Sequence, residues 1–313
     1  MGGRLLALGL GNSLLWALYM LLTRHVVSGL RLDAWAYTLV QLLAGGLVLL
    51  WVGRRAPGNW VELLAPWTVG YAFLRVAING ATAAAIIYLA VTESTLLATI
   101  SALIGMASGW VLTRQAPPRR EWWGLALLAI GIAGFALALR GEAWRGLVWL
   151  FLSESMAVAG SWLIAYHPRN RSSDTAARSR FTGEILVAAS LALIVVWSLL
   201  GLAGIMVSPW AGGGDAFGRL ELWLYGALAG ILFRAPGTWL GFWTINYAGV
   251  QTYLIALTAM PFFAIALEAT AAHLGWVAPP RLSSTEWAAA AVILTASVWL
   301  IVLRMRTPRI SGG

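Results

Sequence analysis

Apolar residues gather along this chain into ten stretches, at 5–23, 34–52, 67–91, 94–113, 122–139, 146–166, 181–206, 222–247, 252–273 and 287–303. Each is close to the roughly 20 residues that a helix needs to cross the hydrocarbon of a bilayer. The pattern therefore predicts an all-α membrane protein of ten transmembrane helices. Polar and charged residues collect in the gaps. The longest gaps, 168–180 and 208–221, are too short to fold as domains.

The second half of the pattern reads like a copy of the first. Glu121-Trp122 opens a stretch that closes at Arg140, and Glu286-Trp287 opens one that closes at Arg304, the two spacings agreeing within one residue. Five spans per copy is an odd number, so the second copy starts on the opposite side of the membrane and the copies are inverted, as in many transporters. The expected units are residues 1–142 and 143–313, two five-helix repeats forming one transmembrane domain. Small residues recur within spans, among them Gly124, Gly131 and Gly134. Close helix packing is their expected role; a homodimer face is the alternative.

Composition narrows the class. With 60% hydrophobic residues, 11% charged and a mean hydropathy of +0.79, the chain has too little polar surface to cover a water-soluble globule. The lipid bilayer is its expected surrounding. The net charge of +9 comes from arginine alone, with no lysine. With the N-terminus cytoplasmic, thirteen arginines, including Arg171 and Arg309, fall on the cytoplasmic side and six, including Arg281, on the other. That asymmetry is a topology signal placing both termini in the cytoplasm of an inner cell membrane, and it removes the case for nucleic acid. The first stretch is too long for a signal peptide and is read as a retained helix. The chain has no cysteine, which excludes thiol catalysis and cysteine metal sites. His25, His167 and His273 are scattered at span ends without metal-ligand spacing, and no nucleophile and base pair up. Neither an enzyme nor a metal or other cofactor is expected.

Leu14-Leu15-Trp16 followed by Arg24, the paired Glu-Trp spans, and Thr258-Ala259-Met260-Pro261 in the ninth span together resemble the drug/metabolite transporter superfamily, specifically its ten-helix branch with two EamA-type repeats. Gln41 stands where an arginine is common in the second helix, and Gly105 where a proline is common in the fourth. The resemblance implies secondary transport of amino acids, other small metabolites or cationic drugs through a central cavity between the repeats.

Two arginines lie inside spans, Arg75 and Arg234, each in the third span of its repeat. An arginine at a helix centre costs about 2.5 to 3.5 kcal/mol on insertion scales, so each requires a partner or a hydrated cavity. A planar, permanent cation suits a substrate carboxylate; a structural ion pair with an intramembrane glutamate is the alternative. Arg234 precedes Pro236 and Gly237, which predicts a broken eighth helix, because proline removes a backbone donor and clashes one turn back. Trp16, Tyr88, Trp162, Trp239 and Trp243 are candidate walls of a binding cavity, the last two lying on one helical face. Glu154, Glu184 and Glu268 lie within spans and are candidates for proton coupling, because burial and a nearby arginine move a carboxylate in opposite directions. Gln41 is set parallel to Glu184 in the first repeat. The leading expectation is an exporter of small carboxylate metabolites such as amino acids, coupled to protons. An organic-cation exporter and a non-transporting scaffold are the alternatives.

Overall fold

A computed structural model describes residues 2–58, 60–114, 116–170, 174–203, 214–278 and 282–306. Arg171, Arg281, Arg309, the seventh apolar stretch beyond residue 203 and residues 208–213 of the 208–221 gap lie outside these residues. The first half comprises α1 (Gly2–Arg24), α2 (Ala34–Val52), α3 (Pro66–Tyr88), α4 (Val91–Ala98), α5 (Ile100–Thr113) and α6 (Arg119–Ala138). The second comprises α7 (Ala143–Tyr166), α8 (Thr175–Leu202), α9 (Leu220–Ala229), α10 (Ala235–Ala248), α11 (Val250–Leu257), α12 (Met260–His273) and α13 (Ser284–Arg306). Three pairs of these form single spans: α4 with α5, α9 with α10, and α11 with α12. Among the described residues the chain thus has ten helical spans, eight of which meet length and apolarity criteria for crossing a membrane as they stand.

Local sequence explains the starts. Asp33 caps α2 by accepting from the Ala36 N–H at 2.6 Å, and Asp174 caps α8 by accepting from Ala176 at 2.8 Å. Pro66 opens α3, where its missing N–H is not needed. Gly249, at φ 80°, makes the tight turn from α10 into α11.

The breaks have causes as well. The eighth span is interrupted as expected: a π-helical turn, Gly230–Arg234, separates α9 from α10, and Pro236 sits in the first turn of α10. Widening the turn removes the clash between the proline ring and the preceding carbonyls. The fourth and ninth spans were expected unbroken and are not. Thr99 Oγ1 donates to the Leu96 carbonyl at 2.6 Å, and Thr258 Oγ1 to the Ile255 carbonyl at 2.7 Å. Such back-bonding bends a helix, and Pro261 then restarts α12.

The halves interlock. α2 crosses α8, α6 lies along α13, α3 packs on α7, and α1 packs on α10 and α12. The α2–α8 crossing is reciprocal: Gly46 meets Leu186 and Val187, while Gly183 meets Gly46 and Leu50. The Gly46–Val187 contact and the Leu50–Gly183 contact exchange under a shift of 137 residues, which matches Gly46 to Gly183 and hence Gln41 to Arg178. The parallel drawn from sequence between Gln41 and Glu184 is corrected accordingly. A Cβ added at Gly124 or Gly131 would meet Leu300 or Ile293 of α13 at 2.8 Å, so these glycines serve close packing within the chain. Glu121 and Arg304, taken from the two Glu-Trp spans, form an ion pair in which Arg304 Nη2 donates to Glu121 Oε2 at 2.8 Å, joining the start of α6 to the end of α13. Large apolar side chains face outward, among them Trp51, Phe73, Ile130, Leu137 and Leu199. A bundle with hydrogen bonds satisfied inside its helices and such side chains outside is suited to lipid.

Candidate functional site

A cavity of about 120 Å³ lies at the centre of the bundle. Its walls come from α1, α3, the α4–α5 span, α7, the π turn with α10, and the α11–α12 span; α2, α6, α8 and α13 contribute none of the lining. Wall and scaffold spans therefore occupy corresponding places in the two halves. The correspondence extends to residues. Arg75 and Arg234 both line the cavity and stand 159 residues apart. At the same spacing, Asn79 is matched by Thr238, Thr82 by Gly241, Ala98 by Leu257 and Ser101 by Met260, all of them in the lining. The kinking residues Thr99 and Thr258 share that spacing too.

Arg234 is only 1% exposed, with its guanidinium carbon 4.9 Å from the Trp16 ring centre and 5.8 Å from that of Tyr19. The Arg75 guanidinium lies 5.9 Å from each of Tyr71 and Phe242 and donates to Thr238 Oγ1 at 3.0 Å. Asn79 donates to the Arg75 carbonyl. Among the described residues no carboxylate lies within ion-pair distance of either arginine, and Arg75 Nε, Arg234 Nε and Arg234 Nη2 are buried without a protein acceptor. The two cations repel each other across the cavity. Aromatic faces offset part of their desolvation, yet leave the donors unsatisfied.

Glu154 also lines the cavity, from α7, as does Ser101 of α5, whose hydroxyl donates to the Ala98 carbonyl at 2.8 Å. The adjacent Ser153 donates to the Ile78 carbonyl of α3 at 2.9 Å. Among the described residues the Glu154 carboxylate forms no ion pair with either arginine.

Other candidates lie elsewhere. Trp162 donates to Ser108 at 2.9 Å and stacks on Tyr166, while the cavity face of α7 carries Glu154, Ala157, Gly160, Ser161 and Ile164. Trp239 and Trp243 line a separate small pocket with Arg178, Ser179 and Thr182. The cavity face of α10 instead carries Gly237, Thr238, Gly241, Phe242 and Ile245, the i, i+4 and i+7 partners of Arg234 and their neighbours. Tyr88 borders an outlying pocket with Glu93 and Arg140. Glu184 is paired with Arg180 at 2.9 Å and is 4.0 Å from Arg169, which also pairs with Glu62 at 2.6 Å. Beside that cluster, burial lowers the His167 imidazole below its ordinary range. Glu268 accepts from the Val91 and Thr92 N–H groups at 3.0 and 2.8 Å, capping α4, and lies 3.8 Å from Arg24. Arg24 in turn donates to the Leu89 carbonyl. Tyr71, Tyr253 and Phe242 were not singled out from sequence, although Tyr71 sits one turn before Arg75 and Phe242 two turns after Arg234.

The lining extends along α7 to Ile164 and along α10 to Ile245, toward the C-terminal ends of both helices, and along α3 back to Tyr71 near its start. The cavity thus occupies the middle of the bundle and the half nearer the connections that follow α2 and α7. The opposite half is closed by the Glu268, Arg24 and α4 contacts.

Residues 3–137 match the EamA-like transporter family, a match that runs from α1 through α6. No curated protein matches the chain. One solved crystal structure is similar at a TM-score of 0.60 and 19% identity, over 98% of this chain and 100% of that one. At that identity the likeness concerns the fold alone. In all, 28 chains of solved structures match.

Proposed function

We propose, from the match of residues 3–137 to the EamA-like transporter family, that the chain is a transporter of the drug/metabolite transporter superfamily that exports small carboxylate-bearing metabolites, amino acids among them, through the central cavity. The observation that carries this reading is the pair Arg75 and Arg234, both in the lining and neither neutralised by a carboxylate among the described residues. Two desolvated cations in one cavity repel an organic cation and attract an anion. A purely structural role would call for partnered arginines, so the pair also argues against a scaffold.

The walls suit alternating access. In this reading residues 1–142 and 143–313 are inverted repeats, and exchange of their conformations opens the cavity to each side in turn. The arginine asymmetry of the connections supports cytoplasmic termini, and in that orientation the half of the bundle that the cavity occupies is the cytoplasmic half. Glu154, the cavity carboxylate that pairs with neither arginine, is the proton-coupling group. Protons entering there drive substrate outward.

The first test is binding. Purified protein is heated with a panel of amino acids and carboxylic acids, and in parallel with tetraethylammonium, alongside Arg75→Ala. Stabilisation by carboxylates that disappears in Arg75→Ala, with the variant's own melting unchanged, supports the proposal. Stabilisation by tetraethylammonium that survives or grows in Arg75→Ala favours the organic-cation reading instead.

A further inference from the structure

We infer that the substrate of this cavity carries two carboxylates, one for each arginine. The inference rests on the proposed carboxylate transport and specifies its substrate class. It starts from the donors left open. On Arg234, Nε and Nη2 form one edge of the guanidinium, both are buried, and neither has a protein acceptor. That edge is the fork that receives the two oxygens of one carboxylate. Arg75 has used Nη2 on Thr238, and its buried Nε remains open. A single carboxylate seated on the Arg234 fork leaves this second donor, and a second positive charge, unsatisfied.

Charge balance leads to the same conclusion. Arg75 and Arg234 repel each other, and the one acidic group in the described lining, Glu154, forms an ion pair with neither of them. One carboxylate per arginine neutralises both where the local dielectric is low. An amino group between the carboxylates is compatible with the site, because Glu154 provides an acceptor in the lining. The equivalence of Arg75 and Arg234 under the 159-residue spacing adds a geometric reason. When two similar halves exchange conformations, the two arginines exchange environments, and a ligand with an anionic group at each end meets both.

The amide of asparagine replaces one carboxylate of aspartate at nearly the same size, so this pair isolates the second charge. Proteoliposomes containing the full chain are assayed for uptake of labelled aspartate, with aspartate, asparagine, succinate, butyrate and tetraethylammonium as competitors. Aspartate and succinate are expected to compete at concentrations at least tenfold below asparagine and butyrate. The preference should fall to near unity in Arg75→Gln and in Arg234→Gln. The comparison on the unaltered protein stands even where a variant fails to fold. Equal competition by aspartate and asparagine, or stronger competition by asparagine, overturns the inference while leaving carboxylate transport in place. The absence of aspartate uptake overturns the inference, and where no other labelled amino acid is taken up while tetraethylammonium is, the reading beneath it falls as well.

Discussion

At Arg234 the opposing energies are of similar size. Insertion of an arginine at a helix centre costs about 2.5 to 3.5 kcal/mol, and a desolvated cation–π contact such as that with Trp16 returns about 2 kcal/mol. The remainder, together with the open Nε and Nη2 donors, makes the site favour an anion. Arg75 and Arg234 were legible in the sequence because a charge within an apolar run stands out. Of the aromatic candidates Trp16 lines the cavity, whereas Trp239 and Trp243, which share one helical face, share the face of α10 that turns toward the small pocket beside Arg178. Steps of three and four residues from each arginine, and the 159-residue spacing between them, lead to Tyr71, Thr82, Thr238 and Phe242. Among the three candidate glutamates, the Arg180 to Glu184 spacing of four was a visible sign of an ion pair within one helix. The backbone partners of Glu268 left no sign, because an N–H donor has no residue code. Only Glu154 faces the cavity. Glu154→Gln preserves size and removes the proton site, so substrate exchange across proteoliposomes should persist while stimulation by a pH gradient is lost. Unchanged stimulation would remove Glu154 from coupling.

At the scale of elements, spans were legible from apolar length and their interruptions only in part. Pro236 announced the break before α10. The kinks at Thr99 and Thr258 lie within unbroken apolar runs, where a threonine hydroxyl gives no distinct signal until its carbonyl partner is known. These kinks leave the start of α4 facing α12, where Glu268 satisfies two of its N–H groups. The corresponding position at the other end of the bundle is Gly109, 159 residues before Glu268, and it faces the Gln251 side chain. One closure is charged and the other neutral. Glu268→Gln keeps one acceptor and loses the attraction to Arg24, a change on the order of 1.4 kcal/mol, or tenfold in population. Because the chain has no cysteine, Thr82→Cys can report on that closure. An impermeant maleimide applied from the His273 side should label it about tenfold faster with Glu268→Gln than without. An equal rate would mean that Glu268 only caps α4.

Over the whole molecule, the lining comes from the first, third and fourth spans of each half of the chain and the second and fifth contribute none, an arrangement consistent with the duplicated pattern in the sequence. Six spans surround the cavity and four brace it from outside. What the pattern did not contain was the reciprocity of the α2–α8 crossing, which depends on where two glycines meet rather than on where charges fall. The central claim is that this arrangement moves carboxylate metabolites in exchange for protons. The most direct measurement is flux of labelled amino acids, acidic ones included, in proteoliposomes of the purified chain with and without a pH gradient, beside labelled tetraethylammonium. The account predicts amino-acid flux accelerated by the gradient, lowered in Arg75→Gln and Arg234→Gln, and no tetraethylammonium flux. Tetraethylammonium flux without amino-acid flux from folded protein would contradict it.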